Sequence, residues 1–358
     1  MKIKNFITMV TVMVTFLACG TYDDDGDFNA IPDGSNNVDK CLNFGEAQLE
    51  LTIQDKYTTL PGKVSVFFKV NDLQGNPVPG LTANNFTIYE QGRNDDCFNT
   101  ISSSESQARI SPNTQIFNNN TLLVLDLSNS VLSTSLQELK EASISFVNSV
   151  MPASPSENFK MAIYWFDGED ELHLLNDLTA DAGQLVSSIE GITSDISNDP
   201  STDLYGAVIK STNKAEDLIN EYEGQSIISA ASVVIFTDGT DQASRYTESD
   251  ALKKVNNADE NVSYFTIGLG GEIDEEVLKS IGKTSSAFAG NKEELVTTFN
   301  EISVKVSGQA NSYYLFEYCS PKRDGSGTNN LVIQARSGTM QGAVQTKFDA
   351  TGFTGGCE

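Results

Sequence analysis

Three oxygen-bearing side chains alternate directly after an apolar run near the middle of the chain: Asp126, Ser128 and Ser130. Alternate residues of an extended segment point the same way, so these oxygens can converge on one point. Two further oxygen donors occupy comparable places, Thr202 before a predicted helix and Asp238 after a later apolar run. Carboxylate and hydroxyl oxygens are hard ligands that suit Mg²⁺, Mn²⁺ or Ca²⁺. The set contains no His or Cys, which disfavours zinc.

The D-x-S-x-S spacing is a weak signal by itself, because this chain is rich in Asp and Ser. Each of these residues could instead satisfy the backbone of a turn. The order of all five donors along the chain favours a cation site over that alternative. Two carboxylates and three hydroxyls, some acting through water, would leave one coordination position open to an outside ligand.

Apolar runs alternate with helical segments from residue 120 to residue 307. This alternation predicts a doubly wound, mostly parallel α/β sheet with helices on both faces. In an open sheet of this kind, ligands bind at the carboxyl ends of the strands. The predicted strands lie at 121–125, 161–166, 171–175, 232–236, 262–267 and 287–288, and the predicted helices at 131–150, 181–192, 203–221, 247–258, 274–283 and 292–306.

The segments on either side of this α/β unit read as β-structure. Residues 47–118 show alternating apolar and polar positions and dense turn residues, and strands return after residue 309. Two or three strands alone make a poor domain, so we expect the last strands to complete a β-sandwich that residues 47–118 begin. Three separate domains in sequence are the alternative. The expected organisation is a signal peptide at 1–18, an acidic tether at 19–46, the first part of the sandwich at 47–118, the α/β domain at 119–307 and further strands at 308–358.

Residues 120–307 resemble the von Willebrand factor A family in the order of their elements. The resemblance includes the stretches 267–270 and 293–295. It implies a Rossmann-like fold and a metal-ion-dependent adhesion site, whose five metal positions are matched here by Asp126, Ser128, Ser130, Thr202 and Asp238. In this family a carboxylate of the partner fills the open coordination position, which makes binding dependent on the metal.

A second resemblance concerns the flanking strands. Residues 68–92 are similar to the immunoglobulin-like strand pair that precedes such domains in many bacterial surface proteins. Together the two resemblances imply a bacterial surface protein with an adhesion-type domain set among β-strands.

The first twenty residues have the features of a targeting segment. Lys2 and Lys4 precede an apolar run, residues 6–18, that is too short to span a bilayer of about 30 Å. The run ends in Cys19 and resembles the bacterial lipobox, although Phe16 departs from the usual Leu. We expect a lipoprotein anchored to the bacterial outer membrane through acyl chains on Cys19; which face carries it is open. An ordinary secretory signal is the alternative.

The segment after Cys19 is rich in Asp, Asn and Gly, which is typical of a solvated spacer. Residues 25–33 also resemble one thrombospondin type 3 calcium repeat, although Ala30 stands where that family has Gly. Because there is only one copy, we favour the spacer.

Four cysteines remain after Cys19: Cys41, Cys97, Cys319 and Cys357. An even set in an exported protein predicts two disulfides, and three pairings are possible. No C-x-x-C pair occurs among them, which disfavours a redox site or a zinc knuckle.

Charge and composition exclude several classes of function. The net charge of -26 argues against a nucleic-acid partner, because binding phosphates requires clustered Lys and Arg. The single histidine, His173, disfavours His-rich zinc sites and a Ser-His-Asp hydrolase. We expect His173 to be a polar residue beside a strand and Trp165 to belong to the core.

The function that these observations favour is a non-enzymatic, divalent-metal-dependent, adhesion-type module that binds a protein partner through a carboxylate. One alternative is a scaffold of an envelope assembly in which the metal is structural. Another is a Mg²⁺-dependent hydrolase, but the sequence offers no general base that stands out. The glycine-rich stretch 268–271 also lacks the Lys-Ser/Thr of a phosphate-binding loop.

Overall fold

The structure is a computed structural model of the full chain. It describes residues 31–92, 94–102, 107–111, 117–224, 227–323 and 327–357. The predicted signal peptide, the lipidation candidate Cys19, residues 19–30 of the predicted tether and most of the calcium-repeat resemblance lie outside the described residues.

Among the described residues, five antiparallel strands precede the α/β unit. They are β1 (Leu49–Thr59), β2 (Lys63–Asp72), β3 (Phe86–Gln91), β4 (Asn99–Ile101) and β5 (Arg109–Ser111). In β3 every second side chain is buried, which matches the period of two that the sequence shows there.

The α/β unit follows, and its described residues form six strands and seven α-helices. Its elements in chain order are β6 (Phe117–Asp126), α1 (Asn129–Thr134), α2 (Leu136–Val150), β7 (Phe159–Phe166), β8 (His173–Thr179), α3 (Ala182–Glu190), α4 (Leu204–Glu223), β9 (Ile228–Thr237), α5 (Glu248–Asn256), β10 (Val262–Leu269), α6 (Glu275–Ile281), β11 (Ser285–Ala289) and α7 (Leu295–Ala310).

The six strands form one sheet in the order β11-β10-β9-β6-β7-β8. All neighbours are parallel except β8, which pairs antiparallel with β7 at the edge. All ten residues of β6 are buried, because α2, α3 and α7 cover one face of the sheet and α4, α5 and α6 the other. The predicted fold class, a doubly wound and mostly parallel α/β sheet, is confirmed.

Three strands close the chain: β12 (Tyr313–Cys319), β13 (Thr328–Ser337) and β14 (Met340–Asp349). β12 lies between β2 and β5, and β13 lies between β3 and β14. Two four-stranded sheets result, β1-β2-β12-β5 and β14-β13-β3-β4, and their apolar faces share one core. Strands from before and after the α/β unit thus belong to the same β-sandwich, and the unit is inserted between them.

The helix predicted at 131–150 is divided into α1 and α2. Ser135 separates them with φ −138° and ψ 7°, outside helical geometry. The hydroxyl of Thr134 donates to the carbonyl oxygen of Ser130 at 2.7 Å. Hydroxyl groups that bond to nearby backbone in this way compete with regular helix bonds, which favours a break here.

The disulfides join Cys41 to Cys97 and Cys319 to Cys357. The first one fastens residues 31–46 to the sandwich, and backbone hydrogen bonds of Gly34 and Ser35 with Gln345 do the same. The described part of the expected tether therefore lies along β14. Among the described helices, none is both long and apolar enough to cross a membrane.

Candidate metal centre

Asp126 is the last residue of β6 and is fully buried. Its Oδ1 accepts a hydrogen bond from the backbone N–H of Ser128 at 2.9 Å. Its Oδ2 accepts one from the hydroxyl of Thr237 at 2.7 Å. Thr237 ends β9, which lies beside β6 in the sheet. Two adjacent strand ends therefore hold the orientation of this carboxylate.

Ser128, Ser130 and Asp238 form a hydrogen-bonded chain next to Asp126. The hydroxyl oxygens of Ser128 and Ser130 are 3.2 Å apart, and Ser130 donates to Oδ1 of Asp238 at 3.0 Å. Ser128 is at the N-cap of α1 and Ser130 in its first turn, while Asp238 follows β9. The structure thus brings together four of the five residues singled out in the sequence.

Backbone contacts bring the loop of Thr202, the fifth residue, to the same edge of the sheet. The carbonyl of Asp199 in this loop accepts from the N–H of Asn129, at the start of α1, at 3.0 Å. The carbonyl of Thr202 accepts from the N–H of Gln242 at 2.8 Å, in the loop after β9. The buried Thr202 therefore lies in a loop that is bonded to the loops after β6 and after β9.

The side chain of Asp203 packs closely against Gly206 at the start of α4, and this contact holds the loop in place. Asp203 is buried, and its Oδ2 accepts from the Nζ of Lys210 at 3.1 Å. A Cβ at Gly206 would lie 2.0 Å from the same oxygen, so only glycine leaves room for the carboxylate. The spacing Asp203-x-x-Gly206 is a local signal for this arrangement that the sequence reasoning missed.

Burial dominates the electrostatics of the two carboxylates. Burial is the largest cause that raises the pKa of Asp126 to about 6; the hydrogen bonds from Ser128 and Thr237 oppose this shift, and the charge of Asp238 adds to it. Burial also raises the pKa of Asp238, and the charge of Glu272 adds to this. Among the described residues, no Lys or Arg forms an ion pair with either carboxylate.

The residues present fit a hard divalent cation. The two carboxylates have only neutral hydrogen-bond donors, so a positive ion beside them would compensate a charge that burial makes costly. All candidate ligand atoms are oxygens, the preference of Mg²⁺ and Ca²⁺. The residues that would hold such an ion are Asp126, Ser128, Ser130, Thr202 and Asp238.

Thr237 was missed as a positioning residue by sequence reasoning. It directly precedes Asp238, and its place at the end of an apolar run was the only available signal. Its contact with Asp126 depends on β6 and β9 being neighbours in the sheet, and this strand order could not be read from the sequence.

No curated protein matches the sequence. Solved structures similar to this one include the conserved hypothetical protein BatB from Bacteroides thetaiotaomicron, with a TM-score of 0.41 and 16% identity over 54% of this chain and 99% of that one.

A von Willebrand factor type A structure from Catenulispora acidiphila has a TM-score of 0.44 and 11% identity, over 83% of this chain and 75% of that one. Proximal thread matrix protein 1 from the mussel byssus, with a zinc-occupied MIDAS motif, has a TM-score of 0.44 and 14% identity, over 54% of this chain and 48% of that one. The sequence profile of the von Willebrand factor type A domain matches residues 120–303, more than half of the chain. The chain therefore belongs to the von Willebrand factor type A domain family.

Proposed function

We propose that this chain is a non-enzymatic module that binds a protein partner through a divalent cation at the Asp126 site, with Mg²⁺ as the first candidate and Mn²⁺ or Ca²⁺ as alternatives. One observation carries the proposal. The fully buried Asp126 carboxylate receives only neutral hydrogen bonds and lies beside the chain of Ser128, Ser130 and Asp238 at the carboxyl edge of the sheet. Family membership agrees with this function, because these domains typically mediate protein–protein interactions.

The residues have distinct parts in this proposal. Asp126 and Asp238 supply negative charge, and the hydroxyls of Ser128, Ser130 and Thr202 supply neutral oxygens. When bound, the cation provides a positive attachment point for a carboxylate of the partner. Ser130 is exposed, so the site is reached from solvent on its side.

The charge of the chain restricts the partner. A net charge of -26 repels acidic proteins at long range. We expect the partner's carboxylate to be surrounded by basic residues. A basic surface would speed association with this acidic chain and would avoid contacts between like charges. Association should therefore slow as the salt concentration rises.

We further propose that the module is displayed by a lipoprotein of the bacterial outer membrane. The support is the sequence alone: a positive start, a short apolar run and Cys19. Two or more acyl chains on one residue would give stable anchoring, whereas a single chain binds only marginally. Cys19→Ser should abolish incorporation of labelled fatty acid and release the protein from the membrane fraction; retention in that fraction would overturn the anchor.

The function is tested by capture from the envelope and secreted fractions of the source organism. The full chain serves as bait in Mg²⁺ and in EDTA. Asp126→Asn is compared with Asp217→Asn, which removes one charge from an exposed position on α4. A partner retained by wild type and Asp217→Asn in Mg²⁺, and lost with EDTA or Asp126→Asn, supports the proposal.

Two results would contradict the proposal. Equal retention in every arm would move the interface away from the metal centre. Loss of folding in Asp126→Asn or in EDTA, seen by circular dichroism, would instead favour the scaffold with a structural metal.

A further inference from the structure

We propose a second cation site formed by Asp167, Glu169 and His173, in the turn between β7 and β8. It is suited to a borderline transition-metal ion such as Zn²⁺. Among the described residues, this is the only group of three or more His, Cys, Asp and Glu side chains that each place a ligand atom within 4.8 Å of the others. None of its members belongs to the Asp126 centre, so the inference stands independently of the proposed function.

His173 is held in place by the only tryptophan of the chain. The rings of Trp165 and His173 stack with centroids 3.9 Å apart and an interplanar angle of 13°. Trp165 is buried in the core, so it gives the imidazole a rigid support. A ligand whose orientation is fixed in advance loses little conformational freedom on binding.

One nitrogen of this imidazole lacks a hydrogen-bond partner. Nε2 is shielded from solvent, and no described residue bonds to it; the nearest carboxylate oxygen, Oε2 of Glu169, is 3.9 Å away. Nδ1 faces Glu171, whose Oε1 is 4.0 Å distant. A neutral imidazole with its proton on Nδ1 would present the Nε2 lone pair to a cation.

Asp167 is the fixed carboxylate of the group. It is buried, its Oδ2 accepts from the hydroxyl of Ser197 at 2.5 Å, and its Oδ1 accepts from the N–H of Glu169 at 2.9 Å. Each carboxylate oxygen has two lone pairs, so both retain capacity for a cation. The second hydrogen bond also folds the turn back and places Glu169 beside Asp167.

Glu169 is the mobile member. Its side chain is 63% exposed, so it can move toward an ion that enters from solvent. Metal–ligand bonds of about 2.0–2.2 Å in a tetrahedron bring ligand atoms to roughly 3.5 Å from one another. The ligand atoms of the group are up to 4.8 Å apart, so they must approach one another by about an ångström to bind an ion. A change in the side-chain conformation of the exposed Glu169 can supply this movement.

The chemistry of the group differs from that of the Asp126 centre. Zn²⁺ and other late first-row transition-metal ions are commonly bound by an imidazole nitrogen together with carboxylates. Mg²⁺ and Ca²⁺ instead prefer oxygen ligands alone. The two negative charges of the carboxylates balance the two positive charges of the ion, and the imidazole ligand is neutral. Water would complete the coordination, since three protein ligands leave a position open.

The experiment uses the fluorescence of Trp165, which reports on this site because the chain has one tryptophan and one histidine and they stack together. The full chain without a histidine tag is titrated with Co²⁺ in excess Mg²⁺, which occupies oxygen-only sites. Co²⁺ is paramagnetic and quenches a nearby indole. We expect saturable quenching with one equivalent of Co²⁺, reversed by Zn²⁺.

Four variants test the assignment. His173→Phe keeps an aromatic ring on Trp165 but removes the nitrogen, and Glu169→Gln removes the mobile carboxylate; each should weaken Co²⁺ affinity roughly tenfold or more. Glu157→Gln, with a glutamate 86% exposed before β7, removes the same charge elsewhere and should bind as wild type. Asp126→Asn should also leave the quenching unchanged.

Two results would overturn the site. One is quenching that does not saturate, or that stays unchanged in both His173→Phe and Glu169→Gln. The other is quenching lost in Asp126→Asn but kept in His173→Phe, which would assign the signal to the first centre.

Discussion

The hydroxyl of Thr237 donates a 2.7 Å hydrogen bond to Oδ2 of Asp126, although 111 residues separate them in sequence. Each is the last residue of its strand, and the two strands are parallel neighbours. The carboxyl edge of the sheet therefore holds the buried carboxylate from two sides, with the N–H of Ser128 on the other oxygen.

Thr237→Val should weaken Mg²⁺ binding by roughly 10- to 100-fold, because the partners that orient a metal ligand contribute at this level. It should also cost about 1.5–3 kcal/mol of stability, the usual value for a hydrogen bond to a charged group. Calorimetric titration and urea unfolding measure the two effects. Thr266→Val is the matched control, since that buried hydroxyl donates to the carbonyl of Leu278 instead. An unchanged Mg²⁺ affinity in Thr237→Val would contradict the positioning role.

Mg²⁺ should stabilise the folded chain through the Asp126 centre. At a concentration of about 100 times Kd, binding adds about 2.7 kcal/mol, which corresponds to a rise in Tm of roughly 5–10 °C for a domain of this size. EDTA should remove the rise. Asp126→Asn should show no response to Mg²⁺, whereas Asp217→Asn should respond as wild type. A rise of equal size in Asp126→Asn would place the bound ion elsewhere.

Gly206→Ala should destabilise the protein by about 1–3 kcal/mol, because the new Cβ would meet the Asp203 carboxylate at 2.0 Å. Alanine in a helix otherwise stabilises by about 1 kcal/mol relative to glycine. Gly224→Ala, at the other end of α4, is the control: its Cβ would lie 3.4 Å from the nearest atom and its backbone is helical. Thermal unfolding compares them. Equal effects of the two substitutions would show that the contact does not matter.

Glu90 should make stability depend on pH. Burial raises its pKa in the folded state above the ordinary value of 4.5, against the hydrogen bond it accepts from Ser320 at 3.1 Å. Between the unfolded and the folded pKa the folded chain binds more protons, so the free energy of unfolding falls as pH rises through this window. Glu90→Gln removes this contribution.

The stability of Glu90→Gln relative to wild type should therefore increase from pH 4 to pH 8, as measured by urea unfolding at each pH. A difference that stays constant with pH would mean that Glu90 ionises in the folded state as in the unfolded one.

The apolar runs of the sequence were sufficient to predict the fold class and, to within one residue, the carboxyl ends of β6 and β9. A strand buried on both faces must be apolar along its length, so the run at 121–125 identified β6 and placed Asp126 at its end. The same argument placed Asp238 after β9. The D-x-S-x-S spacing then brought Ser128 and Ser130 into the same group. That these residues bind a metal stays a prediction.

What the sequence determined by itself is local: the period of burial, the ends of strands, and the residue types that follow them. The tertiary structure alone decided which distant groups meet, such as Thr237 with Asp126, Cys41 with Cys97, and His173 with Trp165. Burial and periodicity act within a few residues, so they leave a pattern in the chain. Contacts between side chains that are distant in sequence depend on strand register and on packing, which result from many weak interactions. Such contacts exist only once the sheet and its helices are assembled.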